Sequence, residues 1–333
     1  MNLEDKEHQF KNASLKIKEV KEEVQRFIVG QEEIVEGVLW SILAGGHTLL
    51  EGLPGLGKTM LVRTLADVMD LSFSRIQFTP DLMPTDITGT MVMKQSRDDQ
   101  HPFVFHQGPL FHHLVLADEI NRSTPKTQSA LLEAMAENTV TVVGETMTLE
   151  KPFFVLATQN PIDLEGTYPL PEAQVDRFMC KILVSYPTKS ELKQIIQRTT
   201  GTEDIVLEKR LNQAELLSIQ DLVKEIMVTD EMIDFAIDLI DATHPKSERT
   251  TERIKQYVEF GSGPRGLQNV ILMSKARALT QGRYHVSIGD LKKVAPLVLR
   301  HRMILNFEGE AMNVGTDELI LEMIDFVQKG ESR

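Results

Sequence analysis

The chain has 333 residues, a formal net charge of −13 and a single cysteine, Cys180. This excess of acid argues against broad electrostatic binding to nucleic acid, which requires clustered Lys and Arg. One cysteine excludes an internal disulfide and suits a reducing compartment. No apolar run approaches the ~18 residues of a membrane span, and no signal-peptide pattern opens the chain. We therefore expect a cytoplasmic protein without membrane insertion, with about two domains at ~150 residues each.

Two helices are predicted before the first strand. Residues 3–27 lack Pro and Gly, and a stripe of Leu15, Val20, Val24 and Phe27 gives this helix an apolar side. A second helical pattern runs through Trp40 and Leu43 to a pair of glycines at 45–46. The turn between the helices contains Gly30 and Gln31. Spacing alone allows two interpretations of this turn, a loop that grips an adenine ring or a simple helix–helix connection.

The stretch from Gly52 to Thr59 fits the phosphate-loop pattern G-x-x-x-x-G-K-[ST] without a mismatch. A short strand is predicted before it, and a helix is predicted after it. Glycines let successive backbone N–H groups point at a phosphate, and the helix N-terminus adds partial positive charge. Lys58 is expected on the β- and γ-phosphates, and the Thr59 hydroxyl on Mg²⁺. The expected nucleotide contacts in this stretch are Gly52, Pro54, Gly55, Leu56, Gly57, Lys58, Thr59 and Met60.

A second apolar run, at 114–117, ends in the carboxylates Asp118 and Glu119. Such a buried strand delivers its acids to the edge of a parallel sheet where ligands bind. The pattern is common by itself and becomes specific downstream of a phosphate loop. We expect Asp118 to hold Mg²⁺ through water and Glu119 to orient or deprotonate the attacking water.

Further strands are predicted at 75–78 and 153–157, with a loop at 79–89. Asn160 follows the second of these strands. Its amide either polarises the attacking water or forms an ordinary turn before Pro161. Hairpins are predicted at about 88–105 and 139–149, and a helix is predicted from Pro125 to about Glu137 with Thr124 as its N-cap.

Four histidines, at positions 101, 106, 112 and 113, lie close together in the sequence. A zinc site is one interpretation. However, no thiolate is nearby, and the adjacent His112 and His113 would point to opposite sides at a strand entry. We therefore favour ordinary histidines over metal ligands.

The character of the chain changes after Pro187, where we place a boundary between an α/β domain, 1–187, and an all-helical domain, 188–333. Thr188 and Glu191 form a capping-box pattern, and no strand period follows. The basic cluster Arg300-His301-Arg302 is expected on a helix surface. Helices are predicted at 189–199, 213–226, 230–242, 264–281, 288–302 and 317–329.

Together these motifs resemble the MoxR group of AAA+ ATPases over about residues 25–305. The resemblance rests on the phosphate loop and on the segments Pro80–Gly89, Ala117–Arg122, Ala130–Glu137, Thr158–Pro161 and Leu170–Phe178. It implies an α/β fold in which a P-loop AAA+ parallel-sheet domain is followed by an all-helical lid domain, with two inserted hairpins facing the centre of a ring.

The resemblance also implies residue roles. Asn160 takes the place of the first sensor, and Arg177 takes that of the arginine finger, which acts on ATP bound by a neighbouring subunit. Arg265 takes the place of the second sensor in the lid, acting on its own subunit or on a neighbour. Gly30 and Gln31 match the adenine-side loop. Arg122 is a further candidate for a contact between subunits.

The implied activity is Mg²⁺-dependent hydrolysis of ATP to ADP and phosphate by a self-assembled ring, a hexamer in the family. The ring remodels or activates client proteins in a chaperone-like manner, including partners with von Willebrand A domains. Two alternatives are a nucleic-acid-remodelling motor and a slow nucleotide-gated switch. The net charge of −13 counts against the motor. Glu119, Asn160 and Arg177 together count against the switch, and no Asn-Lys-x-Asp motif supports a GTPase.

Overall fold

The computed structural model describes residues 3–93, 103–161, 166–200 and 206–331. Its strands are β1 (Thr48–Glu51), β2 (Phe73–Gln77), β3 (Gly89–Met93), β4 (Phe103–Gln107), β5 (Leu114–Asp118), β6 (Thr139–Val142), β7 (Glu145–Thr148), β8 (Phe154–Gln159), β9 (Cys180–Leu183), β10 (Val258–Phe260) and β11 (Ile304–Leu305). Its helices are α1 (Leu3–Phe27), α2 (Glu32–Leu43), α3 (Lys58–Val68), α4 (Pro84–Thr88), α5 (Pro125–Glu137), α6 (Glu172–Val175), α7 (Lys189–Thr199), α8 (Gln213–Glu225), α9 (Asp230–Ala242), α10 (Glu252–Tyr257), α11 (Pro264–Thr280), α12 (Ile288–Leu299), α13 (Phe307–Ala311) and α14 (Thr316–Glu331).

The described residues form a five-stranded parallel sheet in the order β2-β5-β8-β1-β9. The register pairs Leu50 with Thr158 and Gln77 with Asp118. Because all these strands run in one direction, their carboxyl ends meet at a single edge. The phosphate loop after β1, the acids at the end of β5 and Asn160 after β8 therefore lie side by side.

Both faces of the sheet are covered, which explains the continuous apolar runs of its central strands. Along β5, Leu114 and Leu116 point into one cluster of buried side chains, while Val115 and Ala117 point into another. The first cluster also contains residues of α1, α2, α3 and the C-terminal helices. The second contains residues of α5 and of the β6–β7 hairpin.

The N-terminal helix α1 buries Val20 and Val24 of the expected apolar stripe, but not Leu15. Its buried residues are Phe10, Ala13, Ile17, Val20 and Val24, which recur every three or four positions. Leu15 lies on the opposite side and is half exposed. The prediction for Leu15 was therefore wrong, because apolar character alone did not determine which side of the helix faces the core.

Several local predictions are confirmed. Thr124 is the N-cap of α5, which ends at Glu137. The capping box of α7 is formed by Thr188 and Glu191, each bonding the other's backbone N–H. The hairpins β3–β4 and β6–β7 are both present. The tip of the first hairpin lies outside the described residues. These features share a local origin, because each depends on side chains within a few residues of one another.

Other elements differ from the predictions. The segment 79–89 contains the short helix α4, and the edge strand β9 was not predicted. The mainly helical C-terminal part holds an antiparallel pair, β10–β11. Helix α12 ends at Leu299 instead of continuing to residue 302. No helix among the described residues is long and apolar enough to cross a bilayer.

The sheet domain and the C-terminal helices pack against each other through α2 and α11. The guanidinium of Arg277 on α11 lies 5.6 Å from the ring centroid of Trp40 on α2. Arg277 also donates one hydrogen bond to Asp290, a fully buried carboxylate that accepts two more from Arg283. This cation–π contact and the buried ion pair fix the orientation of α11 at the interface.

A buried histidine joins β1, α5 and β8. His47 Nδ1 accepts a hydrogen bond from the Val155 backbone N–H at 3.0 Å, so Nε2 carries the proton and donates to the Met135 carbonyl at 3.0 Å. Burial lowers the pKa of His47 to about 4, against the hydrogen bond to Met135, which raises it. The ring is therefore neutral in the folded protein at neutral pH.

Folding stability should fall as the pH drops below about 6.5. The unfolded chain then binds a proton at His47 that the folded chain does not bind until about pH 4. The His47→Asn variant lacks this titration. Between pH 7.5 and 5.0 the wild type should lose about 2 kcal/mol more unfolding free energy than the variant. Urea denaturation at both pH values measures the difference, and equal pH dependence of the two proteins would contradict the assignment.

Candidate functional site

The phosphate loop joins β1 to α3 through glycines in the left-handed region. Gly57 is the N-cap of α3 with φ of 76°, a conformation that disfavours a Cβ. A side chain built at Gly55 or Gly57 would meet nothing within 4 Å, so the loop backbone faces open space. Lys58 Nζ donates to the Gly52 carbonyl at 2.6 Å, across the mouth of the loop. The loop, the lysine and the helix N-terminus together form an anion-binding arrangement.

The carboxylate of Asp118 is buried and held on both oxygens. Oδ1 accepts a hydrogen bond from the hydroxyl of Thr158 at 2.6 Å. Oδ2 accepts two from the guanidinium of Arg75, at 2.6 and 3.0 Å. Thr158 and Arg75 come from the strands on either side of β5. The acid is therefore fixed at the sheet edge by both neighbouring strands.

Glu119 follows with a left-handed backbone, φ 58°, which is uncommon for a residue with a side chain. The Thr158 hydroxyl accepts a hydrogen bond from the Glu119 backbone N–H at 2.8 Å and so supports this conformation. Glu119 Oε2 is contacted by Gln77 Nε2 and by Arg122 Nε, each at 3.0 Å. These contacts orient the carboxylate, and Arg122 is thereby placed at the acid pair of its own chain.

These groups border a cavity of about 390 Å³, which we call the phosphate cavity. Burial lowers the pKa of Lys58, while the carboxylates of Asp118, Glu119 and Glu51 oppose that shift. The predicted residues that line the cavity are Pro54, Gly55, Gly57, Lys58, Thr59, Met60, Asp118, Glu119 and Asn160. Gly52 and Leu56 contribute carbonyl oxygens that accept hydrogen bonds beside it.

A second cavity, of about 790 Å³, contains Gly30 and Gln31 in its lining, together with Leu183 and Glu191. Gln31 Nε2 donates to the Leu56 carbonyl at 3.0 Å, which ties this turn to the phosphate loop. Gly30 has a left-handed backbone with φ of 65°, which favours glycine, and the Glu191 side chain of α7 lies against it. The turn is therefore more than a helix–helix connection, since it borders a cavity and contacts the phosphate loop.

The predicted arginines lie elsewhere. Arg177 is exposed and donates from Nη1 to the Leu132 carbonyl at 2.8 Å. Arg265 is exposed and donates from Nη1 to Asp176 Oδ2 at 2.8 Å. Neither belongs to the lining of the phosphate cavity. Within one chain, then, the structure does not bring these two arginines to the phosphate loop.

The histidines do not converge. His112 Nδ1 bonds the Pro109 carbonyl and His113 Nδ1 bonds Ser72, while His106 is exposed on β4. His101 lies outside the described residues. In the described ranges, no group of three or more His, Cys, Asp or Glu side chains is arranged to hold a metal ion.

Four residues of the site were missed by the sequence interpretation. Arg75 and Gln77 alternate on β2 and contact Asp118 and Glu119, and Arg63 of α3 lines the cavity. Thr158 ties both acids to β8. Polar residues at alternate positions of a strand beside the acids were the available signal for Arg75 and Gln77. Thr158 carried no signal of its own, because its role depends on the register of β8 against β5.

The residues present fit Mg²⁺ and a nucleoside triphosphate. The open glycine loop at a helix N-terminus and Lys58 match a polyphosphate, and the Thr59 hydroxyl with the Asp118 carboxylate supplies the oxygen ligands that Mg²⁺ prefers. The second cavity, of about 790 Å³, is linked to the phosphate loop by the hydrogen bond from Gln31 to the Leu56 carbonyl.

Two family models match parts of this chain. The profile of the ATPase family associated with various cellular activities (AAA) matches residues 47–180, and the AAA lid domain matches residues 250–323. The chain is 42% identical over 305 residues to Chaperone MoxR1 of Mycobacterium tuberculosis, covering 92% of this chain and 80% of that one. It is 39% identical to the uncharacterized protein YeaC of Bacillus subtilis, with 92% of each chain covered.

A solved structure shares the whole fold. The crystal structure of a candidate ATPase from Cytophaga hutchinsonii superposes with a TM-score of 0.89 at 42% sequence identity. The match covers 97% of this chain and 96% of that one. The parallel sheet and the C-terminal helices therefore occur together in a second protein.

Replacing Thr158 by Val should remove the hydrogen bonds that tie Asp118 and Glu119 to β8. Val keeps the shape but leaves the buried Asp118 Oδ1 and the Glu119 N–H without the hydroxyl. We expect the unfolding free energy to fall by about 1–3 kcal/mol. We also expect nucleotide binding to require a higher Mg²⁺ concentration. Thr158→Ser, which retains the hydroxyl, is the matched control. Urea denaturation and Mg²⁺ titrations measure both effects, and equal losses for Val and Ser would refute the role of the hydroxyl.

Proposed function

The chain belongs to the MoxR group of the AAA+ ATPases, and from that membership we propose that it hydrolyses Mg²⁺-bound ATP to ADP and phosphate. One observation carries the proposal. Lys58, Asp118 and Glu119 all border a single cavity at the N-terminus of α3. A phosphate-binding cation, a metal-binding acid and an acid beside the attacking water are the groups that this reaction requires.

Substrate binding begins with an exchange of partners at the loop. Lys58 Nζ gives up the Gly52 carbonyl for phosphate oxygens, and the N–H groups of the loop donate to the β-phosphate. Thr59 and Asp118 are the residues that would hold Mg²⁺, Asp118 through water. A metal bound there would supply positive charge to the phosphate groups. Gly30 and Gln31 lie on the adenine side.

Within the pocket, Glu119 accepts a hydrogen bond from the attacking water and orients it toward the γ-phosphate. Asn160, buried at the end of β8, donates its amide hydrogen to the same water or to the γ-phosphate. The contacts of Glu119 with Gln77 and Arg122 set the direction of the carboxylate. Catalysis then consists of positioning and charge stabilisation.

Arg177 completes the site of a neighbouring subunit. Its exposure and its position outside the lining of its own phosphate cavity support action in trans. A contact in which one face of a subunit completes the opposite face of the next is heterologous, and such contacts close into rings. We propose a ring, a hexamer as in the family resemblance. Arg265 is proposed to sense the nucleotide from the lid.

Chaperone-like remodelling of client proteins is the proposed outcome of hydrolysis. The relative in Mycobacterium tuberculosis is named a chaperone. The domain division at residue 187 fits this function, with the nucleotide-binding core in 1–187 and the lid in 188–333. A nucleic-acid motor is not favoured, since the charge of −13 opposes contacts to phosphate backbones.

Glu119→Gln should bind ATP with wild-type affinity and hydrolyse it about 100-fold or more slowly, because an amide cannot accept the proton of the attacking water. Calorimetry with Mg²⁺-ATP measures binding, and phosphate release measures turnover. Gln retains the size of the side chain, so lost binding would point to damage of the pocket. Wild-type turnover would remove the proposed role of Glu119.

The action of Arg177 in trans is tested by mixing two inactive variants. Lys58→Ala loses ATP binding but keeps its arginine, and Arg177→Ala keeps ATP binding but loses the arginine. In equimolar mixed rings, about a quarter of the interfaces pair an intact arginine with an intact pocket. Turnover should therefore recover to about a quarter of the wild-type rate. Mixed rings, verified by light scattering, that stay inactive would show that Arg177 does not act in trans.

A further inference from the structure

The basic cluster Arg300-His301-Arg302 does not lie on a helix surface, as its sequence position suggested. Helix α12 ends at Leu299. Each of the three side chains donates to the core domain, and Arg300 also forms a bidentate ion pair with Asp317 of the lid. Arg300 Nη1 donates to the Lys181 carbonyl at 3.1 Å, and His301 Nε2 donates to the Phe178 carbonyl at 3.2 Å. The cluster therefore joins the lid to one stretch of the core domain, residues 176–181.

Arg302 makes the densest set of contacts in this cluster. Its guanidinium is buried, and all five of its N–H donors have acceptors. Nε donates to Asp176 Oδ1 at 2.8 Å. One Nη donates to the carbonyls of Asp176 at 3.0 Å and Phe178 at 2.7 Å, and the other donates to those of Met179 and Val298. A planar fork in this position allows little displacement of the backbone that it holds.

Arg177 lies between the residues that Arg302 grips. The carbonyl before it, on Asp176, and the carbonyl after it, on Phe178, accept from the same Nη2 atom of Arg302. Asp176 is the charged partner of the buried guanidinium, and its other oxygen receives Arg265 from α11. The lid thus contacts the Arg177 segment through two arginines on one carboxylate.

We propose that Arg302 is a positioning residue for Arg177. Through the contacts of Arg302 with Asp176, the lid of one subunit fixes the position of the Arg177 side chain that the same subunit supplies to its neighbour's ATP. The inference rests on the proposed function. It makes the lid a determinant of the donor side of the subunit interface, in addition to any effect on its own pocket. An arginine displaced by about 1 Å loses a large part of its stabilisation of the transition state.

The test uses Arg302→Lys, which keeps the charge and removes the fork. A lysine has three donors on one nitrogen, so it cannot replace the five hydrogen bonds that the three nitrogens of Arg302 make together. We expect rings of this variant to bind ATP within about twofold of wild type and to turn it over about 100-fold more slowly. Arg283→Lys is the matched control. It makes the same chemical change to a fork that bonds only lid residues, and it should keep wild-type turnover.

Mixing separates positioning of Arg177 from damage to the variant's own pocket. If Arg302→Lys is a poor donor, rings mixed with Lys58→Ala recover about a quarter of the wild-type rate, since the partner supplies a well-placed arginine. Rings mixed with Arg177→Ala then stay inactive, because neither subunit donates. Damage to its own pocket gives the reverse pattern, with recovery only in the Arg177→Ala mixture. That reverse pattern, or wild-type turnover of the homomeric variant, would overturn the inference.

Asp176→Asn is the second variant, read in the same mixtures. It keeps the shape of the side chain and removes the negative charge that pairs with Arg302. The same donor defect is expected, and loss of ring assembly by both variants would assign the contact a structural role and overturn the inference.

If Lys58→Ala and Arg177→Ala fail to complement each other, the proposed function fails and the inference falls with it. If they complement while Arg302→Lys shows the reverse pattern, the inference alone fails.

Discussion

The site depends on the parallel pairing of β1, β8 and β5. This register brings the phosphate loop, Asn160 and the acid pair to one edge of the sheet. The hydroxyl of Thr158 joins two of these strands at that edge, since it donates to Asp118 and accepts from the Glu119 backbone. A slip of one residue would turn every side chain to the other face. The strand register therefore determines both the packing of the sheet and the geometry of the site. Buried apolar side chains on both faces of the sheet stabilise that register.

The phosphate loop, the acid strand and the helix caps were predictable because each is encoded by neighbouring residues. Glycine, lysine and threonine at fixed spacing determine the loop, and Thr188 with Glu191 determines a helix start. Features that depend on distant contacts were missed. Helical periodicity predicted that α12 continues to residue 302. The helix instead ends at Leu299, and the basic cluster after it contacts residues 176–181. Likewise, nothing local to Thr158 indicated its partners.

Asp176 forms two ion pairs, with Arg302 and with Arg265, that differ in how deeply the arginine is buried. Arg302 is nearly inaccessible and satisfies its remaining donors on backbone carbonyls, so separating it from Asp176 would leave a buried charge without a charged partner. Such a separation is strongly unfavourable. Arg265 is exposed and bonds Asp176 through one nitrogen, a contact of low energy in water. Arg265 can therefore leave Asp176 during a working cycle, while Arg302 keeps the lid joined to the Arg177 segment.

The same reasoning applies to the phosphate cavity, where the charges already have partners within the chain. Lys58 bonds a loop carbonyl, Arg75 covers Asp118, and Arg122 contacts Glu119. In the proposed function, binding of Mg²⁺-ATP exchanges some of these contacts, so the net gain in binding free energy is smaller than the sum of the new contacts. Arg75 and Arg122 are each more than two-fifths exposed, and their release costs little. The buried Thr158 contacts remain through that exchange, which leaves the two carboxylates aligned while their cationic partners change.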